Sequence, residues 1–171
     1  MIADFAAPMY LPWNSASCIR SVARYFVTPI SDSTHIPSGA FANRGEADAF
    51  WETTPYPVVL SVQYADAQTV TAYSLGGNEG DAVRMPTAWR FEASKDTLEW
   101  VPLDAQSDIA DWPGNGQMTF PIAKPGAYRA YRFVFTRGQS DTMRIYKISL
   151  ETAKEPSQNA KDAKADSKAA P

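Results

Sequence analysis

The chain has 171 residues and a mass of 18.8 kDa, with 44% hydrophobic and 12% aromatic residues, which is enough for one domain with a real core plus extensions. A formal charge of −3 and a pI near 5.1 leave no basic excess to neutralise phosphates, so nucleic-acid binding is not expected. A single cysteine (Cys18) and a single histidine (His35) exclude an intrachain disulfide and multi-histidine or thiolate metal centres, and no run of about 18 apolar residues is present to span a membrane.

The opening stretch, MIADFAAPMYLPWN, lacks the basic and continuous apolar regions of a secretory signal, so the expectation is either use without Sec export, which favours cytosolic assembly, or a leader that this sequence does not include. Residues 1–16 form an apolar arm in which Pro8 and Pro12 forbid a regular helix. Its cluster of Met9, Tyr10, Leu11 and Trp13 is too apolar to stand in solvent. It is expected to pack on its own domain or to serve as an assembly arm on a partner subunit.

Ile19–Ile30 is β-branched and aromatic and reads as a strand, followed by a loop over Ser31–Gly39. Gly39–Glu52 reads as a compact irregular segment with a short helical stretch. In Pro57–Tyr64, Val58, Leu60, Val62 and Tyr64 share one face of a strand; Ala65–Gln68 reads as a turn into the next strand, Thr69–Leu75. The loop Gly76–Pro86 carries glycines, charges and an amide, and loops of that length in compact domains are more often functional than idle. Trp89, Phe91 and Ala93 alternate with Arg90, Glu92 and Ser94 in a half-buried strand. Ser94–Thr97 supplies turn formers, after which Leu98 and Trp100 are expected to resume the apolar face.

Val101–Leu103 completes that strand, and Asp104–Gln117 reads as a loop holding Trp112. Met118–Ile122, Tyr128–Phe135 and Met143–Leu150 read as strands, with a turn at Lys124–Gly126 and a hairpin loop at Arg137–Asp141. Trp89, Trp100, Tyr131, Phe133 and Phe135 are assigned to the core, while Arg129 and Arg132 are expected to pair across strands or lay their stems on aromatics. Residues 153–171 lack aromatic and β-branched side chains and are expected to be a disordered polar tail. The domain therefore runs over residues 17–152. Short strands, regular turn signals and hardly any amphipathic helix give an all-β sandwich.

Three phrases carry a resemblance to a known family. GAFANRGEADAFW (39–51) places Ala40-Phe41 and Trp51 at signature positions. TVTAYSL (69–75) followed by PTAWRFEASKDTLEWVPLD (86–104) matches the family's strand–loop–strand–turn phrase. AYRAYRFVFT (127–136) with IYKISLE (145–151) matches its closing strands. Over roughly residues 38–151 the chain resembles the coagulation-factor type C, or discoidin-like, galactose-binding-like domain, closest in flavour to versions in phage tail and virion proteins. The resemblance implies a jelly-roll β-sandwich of two antiparallel sheets with its ligands at one end.

The resemblance also implies a structural calcium ion in many members. Here Ala42 and Asn43 stand where the first acidic ligands would be and Lys147 where a glutamate would be. That leaves Glu46, Asp48 and the Phe41 carbonyl as the candidate set for a degenerate calcium site, and no other cofactor is expected. For the ligand end it implies the loops bearing His35, Asn78, Glu79, Asp81, Arg84, Arg137 and Asp141. Asn, Asp and Arg fork hydrogen bonds to hydroxyls, and Trp112 is the candidate ring to stack on a sugar face. Only Met85 and Val83 offer apolar spikes there, so membrane insertion is not expected. His35 has no nucleophile elbow or second histidine beside it, and Glu46, Asp48 and Glu52 read as solvated loop charges, so no enzyme is expected.

The reading of the sequence alone is a non-catalytic recognition or assembly module of a phage or phage-like virion, assembled in the host cytoplasm. It would bind a glycan, a neighbouring structural subunit or a second copy of the chain. The alternatives are a carbohydrate-binding module of a secreted or cell-surface bacterial glycoside-active protein, and a structural virion protein that binds no sugar.

Overall fold

The computed structural model describes residues 24–28 (backbone), 40–41 and 50–153 except 115. The arm at Met9, Tyr10, Leu11 and Trp13, the loop residue His35, the carboxylates Glu46 and Asp48, and residues 154–171 of the tail lie outside the described residues.

Alternation of apolar and polar residues builds β1 (Arg24–Thr28), β2 (Trp51–Thr53), β3 (Val58–Gly76), β4 (Pro86–Ser94), β5 (Val101–Gln106), β6 (Gln117–Pro121), β7 (Ala127–Gly138), β8 (Met143–Ile145) and β9 (Lys147–Thr152). All pairings are antiparallel. One layer runs β1-β3-β7-β4-β5, β6 and β9 flank the second half of β3, and β2 pairs with β8. The all-β sandwich of two antiparallel sheets expected from the sequence is the observed fold.

β3 joins the layers. Val58, Leu60, Val62 and Tyr64 are buried as their spacing requires. Ala65–Gln68 is not a separate turn: strand conformation continues through it. Gln63 lies opposite Ala130 and Gln68 opposite Tyr128, so extra residues bulge out and the strand swings from β7 to β6 and β9. The Tyr131 hydroxyl pins this corner by donating to the Gln68 carbonyl (2.5 Å) and accepting from the Val70 N–H (3.2 Å). The guanidinium of Arg129 donates to the Ala65 carbonyl from outside.

Past the corner, Tyr73 enters the centre of the core. Its ring centroid lies 4.6 Å from Phe91, 5.1 Å from Phe120 and 5.2 Å from Phe133. Each such fully buried ring contributes about 1.5–3 kcal/mol of hydrophobic stabilisation. The phenol is not left unpaired: Trp89 Nε1 donates to it at 2.8 Å and it donates to Asp104 Oδ2 at 2.5 Å.

At the far end of β4 the chain reverses around Asp96, whose Oδ1 accepts from the Leu98 and Glu99 N–H groups. This turn does not return an apolar face to the core. Leu98 is 83% exposed, and the part-exposed Trp100 ring carries the Arg132 guanidinium 4.1 Å from its centroid. Arg132 pairs across strands with Glu92 at 2.6 Å, as the sequence implies, and Arg90 holds the other Glu92 oxygen at 3.0 Å. Met143–Leu150 is two strands rather than one, broken at Tyr146, whose N–H donates to the Gly76 carbonyl.

Candidate functional site

Antiparallel pairing decides which loops meet. Pro86 lies opposite Gly138, so the β3–β4 loop and the β7–β8 turn emerge side by side at one end of the sandwich. The β3–β4 loop is a chain of tight turns. Gly80 takes φ +87°, a conformation glycine adopts without strain, the Asp81 N–H donates to the Asn78 carbonyl, and the 3₁₀ turn Ala82–Arg84 follows. Met85 is fully buried and anchors the return into β4, so it is not the exposed spike expected from the sequence; Val83, 54% exposed, is.

Asp81 is the hub of this end. Its Oδ1 accepts from Arg84 Nη1 at 2.9 Å, and its Oδ2 accepts from Arg144 Nη1 at 3.0 Å and from the Tyr146 hydroxyl. β2 and β8 bring Glu52 opposite Arg144, and Arg144 Nε and Nη2 reach Glu52 Oε2 at 2.7 and 2.5 Å. The Arg144 guanidinium lies 4.2 Å from the Phe50 ring centroid, and Phe50 packs on Tyr146 at 5.2 Å. Glu52 is thus a strand residue in an ion pair, not the solvated loop charge expected.

Burial alone would raise the Asp81 carboxyl. The Tyr146 and Arg144 hydrogen bonds and the Arg144 and Arg84 charges outweigh it and hold the group below its usual value. Burial likewise opposes the charge on Arg144, but its bonds to Tyr146, Glu52 and Asp81 win and hold it protonated. Burial first, then the bond to Asp81, raises the Tyr146 phenol. The network therefore locks the β3–β4 loop to β8 and β2 as a charged, internally satisfied unit.

The end also carries Asn78, the exposed Glu79 and Asp141, and the Arg84 side chain, 39% exposed. Arg137, at the end of β7, is ion-paired with Asp108. The structure thus brings Asn78, Glu79, Asp81, Arg84, Arg137 and Asp141 to one end. Trp112 is a correction. Its loop does reach this end, but the ring is 7% exposed, sits 5.9 Å from Trp89 and donates from Nε1 to the Pro86 carbonyl at 3.1 Å. A ring committed to the core offers no face for a sugar. Phe41 is helical and buried with Ala40 in the core. Among the described residues no three His, Cys, Asp or Glu side chains group to hold a metal ion.

Sequence reasoning missed Arg144, Tyr146, Phe50 and Asp108. The one local signal was Met143-Arg144-Ile145, whose alternation marks Arg144 as facing away from the core.

No protein-family model and no curated protein matches the chain. Solved structures do. A family 32 carbohydrate-binding module from Streptococcus pneumoniae EndoD is similar with a TM-score of 0.64 and 13% identity, over 77% of this chain and 96% of that one. A family 32 module from Clostridium perfringens, solved in complex with GalNAc-β-1,3-galactose, has a TM-score of 0.59 and 12% identity, over 75% and 94%. An F5/8 type C domain from Bacteroides fragilis has a TM-score of 0.61 and 15% identity, over 75% and 89%. The chain shares the fold of these domains, which is the fold its sequence resembles.

Proposed function

We propose that the chain is a non-catalytic carbohydrate-recognition module that holds a glycan at the loop end of its sandwich. The observation that carries this reading is the convergence of Asn78, Glu79, Arg84, Arg137 and Asp141 on one end braced by the Asp81–Arg144–Glu52 network. Planar amide, carboxylate and guanidinium groups suit hydroxyl-rich ligands, and the braced loop that carries Asn78 and Arg84 has less backbone ordering left to lose on binding. Domains of like fold include carbohydrate-binding modules, one of them solved with a bound glycan. That support places this reading ahead of the virion-assembly role put first from sequence.

The test is the full chain on an array of immobilised glycans, with heat-unfolded chain as background and a reducing-end assay for cleavage. Saturable binding without released ends is expected, weakened by Asn78→Ala or Arg84→Ala and unchanged by Leu98→Ser at the opposite end. Failure to bind any glycan refutes the reading, as does measurable cleavage.

A further inference from the structure

At the same end of the sandwich lies an open cleft of about 320 Å³ between two segments: Asp108 and Ile109 after β5, and Arg137, Gly138 and Gln139 at the end of β7, with Thr87 of β4 between them. The first segment is tied down, because the Ile109 N–H donates to the Thr87 carbonyl at 3.1 Å. Asp108 adopts a left-handed backbone, φ +56°, and its carboxylate accepts from Arg137 Nη2 across the cleft. Both side chains are solvent-facing, 79% and 57% exposed. Ile109 is half-buried against the core and offers an apolar patch at the base.

From this we infer that the cleft is a saccharide subsite and that its ligand is a neutral sugar; the inference rests on the carbohydrate-recognition reading above. A guanidinium beside a carboxylate gives a donor fork next to an acceptor fork. A vicinal diol satisfies both, one hydroxyl accepting from Arg137 and the other donating to Asp108, while a ring C–H face rests on Ile109. The Gln139 amide adds a donor and an acceptor at the rim. Charge selects the class. The lining's one cation, Arg137, is already paired with Asp108, and Asp111 and Asp141 in the flanking segments add only negative charge, so a uronate or other anionic sugar finds no unpaired cation in the lining to neutralise it. The Asp81 carboxylate does not compete for this role, because its oxygens are already taken by Arg84, Arg144 and Tyr146.

Affinity electrophoresis of the full chain through galactan, mannan and β-glucan, and separately through polygalacturonate and alginate, tests this. Retardation by at least one neutral polymer is expected, and weaker or none by the polyuronates. Asp108→Ala and Arg137→Ala should each weaken that retardation about tenfold, the loss of one charge-assisted hydrogen bond, with melting temperature unchanged. If both variants stay within about twofold of wild type while Asn78→Ala or Arg84→Ala abolishes binding, glycan recognition stands and the cleft assignment falls. Preference for the polyuronates overturns the neutral-sugar assignment. Retardation by no polymer overturns both.

Discussion

Asp81→Asn tests whether the loop end is braced as its geometry implies. The substitution keeps the shape but removes the charge that three donors share. The Arg84 pair is short-range and 39% exposed on the arginine side, so it contributes about 0.5 kcal/mol. The bonds from Arg144 and Tyr146 are mostly screened from water, with side-chain exposures of 20% and 16% for Arg144 and Asp81, and together contribute about 1.5–3 kcal/mol. The expected loss is therefore about 2–3.5 kcal/mol. With an m-value of about 2 kcal/mol per molar, the urea midpoint falls by about 1–1.8 M at unchanged m. The sign with pH follows from the carboxyl being held below its unfolded value of 3.8. Its stabilisation is fully present above that value and is lost as pH falls through the lower folded one. Urea titrations from pH 7 downward should show the wild-type advantage intact to about pH 4 and shrinking below it. A gap under about 0.5 kcal/mol at pH 7, or one that does not narrow on acidification, refutes the bracing argument.

Other substitutions probe the core and its turns. Tyr73→Phe leaves the Trp89 indole N–H and Asp104 without their phenol partner and should cost about 1–3 kcal/mol in urea unfolding, without altering the fold seen by circular dichroism. Gly138→Ala places a methyl 2.2 Å from the Tyr56 hydroxyl oxygen; the resulting overpacking should lower stability by about 1–3 kcal/mol and weaken glycan retention, read by thermal melting and affinity electrophoresis. Thr97→Gly relieves a β-branched residue held at φ +68° and should raise the melting temperature, by no more than about 1 kcal/mol in stability because the unfolded chain also gains freedom.

Period-two alternation was the legible part of the fold. It placed Val58, Leu60, Val62 and Tyr64 on one buried face, and Tyr131, Phe133 and Phe135 on another. It failed where local chemistry and tertiary context disagree. Ala65–Gln68 has the polar, small composition of a turn, yet Tyr131 and Arg129 hold its carbonyls and keep it in strand conformation while the chain changes sheets. Leu98 and Trp100 continue an apolar pattern, but the Asp96 turn closes too tightly to return them to the core. Trp112 sits among loop residues and so read as a surface ring. Its Nε1–H is paired with the Pro86 carbonyl, which holds the indole inward against Trp89.

The site was half legible for a related reason. Loop residues such as Asn78 and Arg84 announce themselves by composition, and the β3–β4 loop had to end near Gly138 once β4 and β7 paired. What holds that loop in place could not be read locally, because Arg144 and Glu52 are 92 positions apart and meet only through the two-residue-period register of β2 with β8. The residues that brace the end are mostly buried and spent on one another, whereas Arg137 and Asp108 are paired yet open to solvent. An exposed pair of that kind adds little to folding stability, so its hydrogen bonds can be exchanged for those of a ligand at small cost. On that division the braced network fixes geometry and the open pair is the one proposed to meet the sugar, so Asp81→Asn should be read first as a stability change and Asp108→Ala as an affinity change.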